Sequence, residues 1–130
     1  MSANLDEFLG LQDVSDVRKT IKVTTGGKTF DFVIRPVTEE EHGDYQRQSN
    51  NVIKNKVTFD LAKYNKLLLS NHIVEPNFND AEFLKKAKCQ TGYEFMTKKF
   101  NAGILTDIAS EIQNISGFNS IELEIEEAKN

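Results

Sequence analysis

The spacing of apolar and polar positions changes period near residue 38. Before it, "VRKTIKVTT" and "KTFDFVIRPV" alternate β-branched or aromatic residues with polar ones on either side of Gly26-Gly27. Successive strand side chains point to opposite faces, so this spacing predicts a β-hairpin closed by a glycine turn. Phe30, Phe32 and Ile34 fall on one face with Ile21 and Val23 as cross-strand neighbours, while Arg18 and Lys22 fall on the other. Pro36 closes the second strand because it has no N–H to give to a ladder.

After Thr38 the period is helical. Thr38 and Glu41 have the spacing of a capping box, worth about 1 kcal/mol. The helix predicted over 39–53 has few apolar positions (Tyr45, Val52, Ile53) and is expected to lie exposed. "FDLAKYNKLLLSNHIV" sets Leu61, Tyr64 and Leu68 on one stripe broadened by Leu67, the pattern of a central core helix. Pro76 falls in a connection, and Asn79 with Glu82 and Thr91 with Glu94 mark two further helix starts. Tyr93, Met96 and Phe100 share one helical face, as do Leu105, Ile108, Ile112 and Ile115, with Gly117 as the stop. The terminal "NSIELEIEEAKN" fits a strand through Ile121, Leu123 and Ile125 and a helix through Ile121, Ile125 and Ala128; its many acids favour helix. At the other end, Leu5, Phe8 and Leu9 have helical spacing that Gly10 cuts short.

These readings give an α+β fold, mostly α-helical with an N-terminal β-hairpin. Residues 1–16 form a flexible acidic arm. Residues 17–130 form a single domain, with the hairpin over 17–37 and helices over 38–130.

Composition narrows the function. An apolar fraction of 38% beside 28% charged residues describes a small core under much solvated surface. No apolar run approaches the roughly 20 residues of a membrane span, and "MSANLDEFLG" has no basic segment leading into an apolar one, so no membrane and no secretory leader is expected. One cysteine, Cys89, rules out an internal disulfide. The net charge of −4 argues against nucleic acid as partner. Charge is uneven: residues 1–16 carry four acids and no base, while 17–37 carry five bases against Asp31. That distribution suits acidic ends solvated around a basic middle, or a polar rim around a partner-binding surface.

Chemistry is hard to find. "GGKT" at 26–29 lacks the earlier glycine of a phosphate-binding loop, whose place Lys22 holds, and it leads into a strand rather than a helix. His42 and His72 have no second ligand at metal spacing. Cys89 at a helix end suits packing better than nucleophilic attack. The three consecutive glutamates at 39–41 fit the positive end of a helix dipole. No catalytic residue, metal or cofactor is expected. Apolar residues scattered through both ends describe a protein that works by contact.

The blocks "FVIRPVTEEEHGDY", "FDLAKYNKLLLSNHIVEPNFNDAEF", "KKFNAGILTDIASEI" and "ISGF…EEAKN", in this order, resemble the XkdN-like family of phage tail assembly chaperones over about Leu5 to Asn130. The resemblance implies a non-enzymatic role in the bacterial cytoplasm. Its partners would be the tape measure protein, kept soluble, and tail tube subunits recruited around it, with the chaperone left out of the finished virion. It leaves a permanent tail or baseplate component as the alternative. Candidate partner-binding residues are Leu5, Phe8 and Leu9 in the arm and Phe118, Ile121, Leu123 and Ile125 at the end; Phe118 is also placed to seal the last core helix. A homo-oligomer is compatible with either role.

Overall fold

The computed structural model describes residues 4–118. Its elements run α1 (Leu5–Phe8), β1 (Lys19–Thr25), β2 (Lys28–Ile34), α2 (Glu39–Ser49), β3 (Asn50–Ile53), β4 (Lys56–Phe59), α3 (Leu61–Asn71), β5 (Ile73–Glu75), α4 (Ala81–Ala87), α5 (Gly92–Lys99) and α6 (Ala102–Ile115), with a short 3-10 turn at Val14–Asp16. The α+β class and the N-terminal hairpin stand as expected. β1 and β2 are antiparallel in unbroken register, with Ile21 opposite Phe32 and Val23 opposite Phe30. Gly26 and Gly27 both take positive φ, which a side chain would strain, and so close the hairpin in two residues.

Helices cover one face of this sheet. α6 lies along β1, and α3 sits at the centre of the helical layer against α2, α5, α6 and β5. The core they enclose includes Val23, Phe32, Ile34, Leu68, Met96 and Ile112. Ile34, Leu68 and Ile112 have no exposed surface at all; burying such a side chain contributes about 1.5–3 kcal/mol. Each helix from α2 onward begins at a side-chain cap: Thr38, Asp60, Asp80, Thr91 and Asn101. The Thr38–Glu41 capping box closes in both directions.

Five expectations need correcting. The helix predicted over 39–53 ends at Ser49, and Asn50–Phe59 forms a second hairpin, so 38–130 is not helical throughout. Tyr45 on that helix is buried, not exposed. The helix containing Leu68 ends at Asn71, and Ile73–Glu75 joins the first sheet as β5, in the order β1-β2-β5. Leu61 lies exposed while Leu69 takes a core place. The cap of α4 is Asp80, one residue beyond Asn79.

Candidate partner-binding surface

A polar network anchors the hairpin to the helices. Arg35 donates two hydrogen bonds of 2.9 Å to the Glu41 carboxylate, which also accepts from the Thr38 backbone N–H. The Arg35 hydrogen bonds hold the Glu41 carboxyl down to about 2. The Tyr45 hydroxyl donates to Glu41 and lies 2.9 Å from Nε2 of His72. Burial pushes the His72 imidazole down to about 4, so it is neutral here. His42 contacts the Tyr64 hydroxyl at 2.6 Å. Among the described residues, no three histidine, cysteine or carboxylate side chains converge on a metal position. This network is a structural clamp.

The surface is where apolar chemistry accumulates. In the arm, Leu5 is 82% exposed, Phe8 53% and Leu9 84%, with Leu11 and Val14 also exposed beyond them. The structure brings these three predicted residues together on one short helix and its cap, and none of them belongs to the core cluster. Phe118 sits at the edge of the core, its ring 4.7 Å from that of His42. Ile121, Leu123 and Ile125 lie outside the described residues.

Two apolar features were not anticipated. The second hairpin exposes Val52, Val57 and Phe59, which share one face because Val52 pairs with Val57 and Asn50 with Phe59. More telling is a groove of about 720 Å³ between the first hairpin and the α4–α5 pair. Phe30, Phe32, Phe78, Phe83, Phe95 and Phe100 line it, six of the nine phenylalanines in the chain. Phe78 is the hub, with ring centroids 5.5 Å from Phe95, 5.7 Å from Phe32, 5.9 Å from Phe83 and 6.0 Å from Phe100. The signal available in the sequence was compositional: nine phenylalanines beside three tyrosines and no tryptophan supply apolar area without hydroxyl or indole donors to satisfy. Phe30 reaches this wall from the core-facing side of β2, yet remains 44% exposed because nothing closes over it.

The α+β domain thus clamps polar groups internally and gathers most of its phenylalanines in an open groove. The chain belongs to the phage XkdN-like tail assembly chaperone family, whose model matches residues 5–129. No curated protein matches the sequence. Among solved structures, the crystal structure of the protein YqbN superposes with a TM-score of 0.62 at 14% identity, covering 91% of this chain and 99% of YqbN. At that identity the likeness speaks for the fold.

Proposed function

We propose that this protein holds the tape measure protein soluble during tail morphogenesis and yields it to tail tube subunits as the tube closes around it. The observation that carries this reading is the open phenylalanine groove on a chain that matches a tail assembly chaperone family over nearly its whole length. A tape measure is long and apolar in stretches, so it aggregates unless covered. A small acidic partner that binds those stretches shifts them toward the soluble complex by mass action. Displacement by tube subunits requires that contacts be exchangeable, which an open, shallow groove permits better than an enclosed cavity. The chaperone acts in the host cytoplasm, by contact alone, without cofactor or catalysis, and is left out of the mature particle.

The test is co-expression with the tape measure protein encoded in the same gene cluster. Soluble tape measure should rise and co-purify with the chaperone. An insoluble tape measure that leaves the chaperone unbound would sink the proposal, and recovery of the chaperone in purified particles would favour a permanent tail component instead. Replacing Ile121 and Ile125 by serine tests the acidic end: capture should weaken while the thermal midpoint holds.

A further inference from the structure

The groove coincides with an unfinished sheet edge. β2 carries β1 along its whole length, but among the described residues β5 pairs with it only at Val33 and Ile34. Pro76 follows Glu75 directly and has no N–H to extend that ladder, so the chain leaves the sheet there. The Lys28–Phe32 half of β2 therefore has a strand on one side and the groove on the other.

The direction of its backbone groups is fixed. A two-residue hairpin makes Thr25 and Lys28 a hydrogen-bonded pair, so even-numbered residues of β2 bond to β1 and odd-numbered ones face away. The Arg35 N–H agrees, since it donates to the His72 carbonyl on the β5 side. Thr29 and Asp31 thus each turn one N–H and one C=O toward the groove. Their neighbours Phe30 and Phe32 project on the core-facing side, toward Phe78 and Phe100. A backbone that continued β5 along this edge would lay every second side chain among those rings.

Charge identifies the occupant. Across α4 and α5, residues 81–100 hold five lysines (Lys85, Lys86, Lys88, Lys98, Lys99) against Glu82 and Glu94, in a chain whose net charge is −4. Lys28 and Lys99 line the groove, and among the described residues neither forms a salt bridge. Asp31 is engaged by Lys22 at 2.5 Å on the far face, so Glu75 is the one free carboxylate among the lining residues.

We infer that the open half of β2 and the phenylalanine groove together form a strand-addition site for an extended client segment whose groove-facing residues, every second one, are large and apolar and end in a carboxylate beside Lys28 and Lys99. Main-chain hydrogen bonds to Thr29 and Asp31 give affinity; of the side chains that face the groove, the large apolar ones enter among the phenylalanines and a carboxylate at the end beside Lys28 meets Lys28 and Lys99. That the segment comes from a tape measure rests on the proposed function; the groove's chemistry does not.

The probe is a fluorescent peptide with leucine at two alternate positions, glutamate at the next alternate position and threonine between them, capped at both ends and titrated by anisotropy. It should bind with a Kd in the micromolar range. N-methylating alternate backbone nitrogens keeps every side chain but removes the edge hydrogen bonds, and should weaken binding by about tenfold or more. Lysine in place of glutamate, and the variants Lys99→Glu and Phe30→Ser, should each weaken it by about tenfold as well. No binding by the unmodified protein, equal binding of the N-methylated peptide, or equal binding of the lysine peptide overturns the inference. These peptide arms need no variant to fold. In co-expression, a tape measure solubilised equally by the unmodified protein and by Phe30→Ser removes the groove but leaves the chaperone function; one that stays insoluble with both removes the function, and the titration still decides the groove.

Discussion

Asn79 and Gly92 are locked together: Oδ1 of Asn79 accepts the Gly92 N–H at 3.1 Å, while its Nδ2 donates to the Ser70 carbonyl at 3.0 Å. One amide side chain thus ties the loop before α4 to the first residue of α5 and the end of α3. It also fixes Phe78, the adjacent residue and the hub of the groove. The fit depends on glycine. A Cβ at position 92 would stand 2.7 Å from Oδ1 of Asn79 and 2.9 Å from both the carbonyl carbon and the Cβ of Phe78. Backbone atoms at that distance cannot swing aside.

Gly92→Ala should therefore destabilise the fold by about 1–3 kcal/mol, despite alanine's better helix propensity. Chemical denaturation checks this. A variant as stable as the parent would mean that the Phe78 backbone yields freely and that this contact does not shape the groove.

Acid should weaken the clamp between hairpin and helices in a defined window. Burial keeps His72 neutral in the folded chain down to about 4, whereas the unfolded chain takes up a proton below the ordinary value of 6.5. The unfolded state then binds more protons, so this contribution is fully present above 6.5, is lost as pH falls toward about 4, and is constant below. The span corresponds to about 3 kcal/mol. Glu41, held down chiefly by hydrogen bonds from Arg35, adds a loss of the same sign from the ordinary carboxylate range to about 2. Thermal midpoints measured from pH 7 to 4 should fall. His72→Gln should flatten that limb even though it lowers the plateau; an unchanged slope would show that another group titrates there.

The first hairpin was legible because two local signals agreed, strict alternation through Phe30, Phe32 and Ile34 and a glycine pair that needs no strain to turn. The second hairpin was not. Its turn places Lys54 and Asn55 at φ 51° and 65°, a left-handed conformation that asparagine tolerates but lysine does not advertise. Its apolar residues also face solvent, so burial never sharpened the pattern. β5 was hidden for a different reason. "LLLSNHIV" keeps helical spacing, and only pairing with the distant β2, at Val33 and Ile34 and through the Arg35 N–H that donates to the His72 carbonyl, makes its end a strand. The groove is assembled from five separate elements and the loop carrying Phe78, so no window of sequence could contain it. That the arm residues stay out of the core was legible because Gly10 cuts their helix short.

Those arm residues give a clean separation of binding from folding. Leu5, Phe8 and Leu9 contribute little to the core, so replacing all three by serine should change unfolding free energy by no more than about 0.5 kcal/mol. Soluble capture of the tape measure should nevertheless fall. A marked drop in stability would instead show that the arm packs on the domain, and unchanged capture would remove it from the binding surface.

Phe118 poses the opposite case, since its ring lies against His42, whose Nδ1 contacts the buried Tyr64 hydroxyl. The adjoining turn is pinned as well: Ser116 Oγ accepts the Val37 N–H at 2.9 Å and donates to the Ile112 carbonyl at 2.7 Å. A ring held at this junction covers the end of α6 and the start of α2 at once. Removing it by Phe118→Ala should cost about 1–3 kcal/mol, less than a fully buried phenylalanine because part of the ring already meets water. Denaturation together with the co-expression assay distinguishes its two possible roles. A stability loss accompanied by normal capture at low temperature makes Phe118 a cover for the core. Lost capture with an unchanged midpoint makes it part of the partner surface.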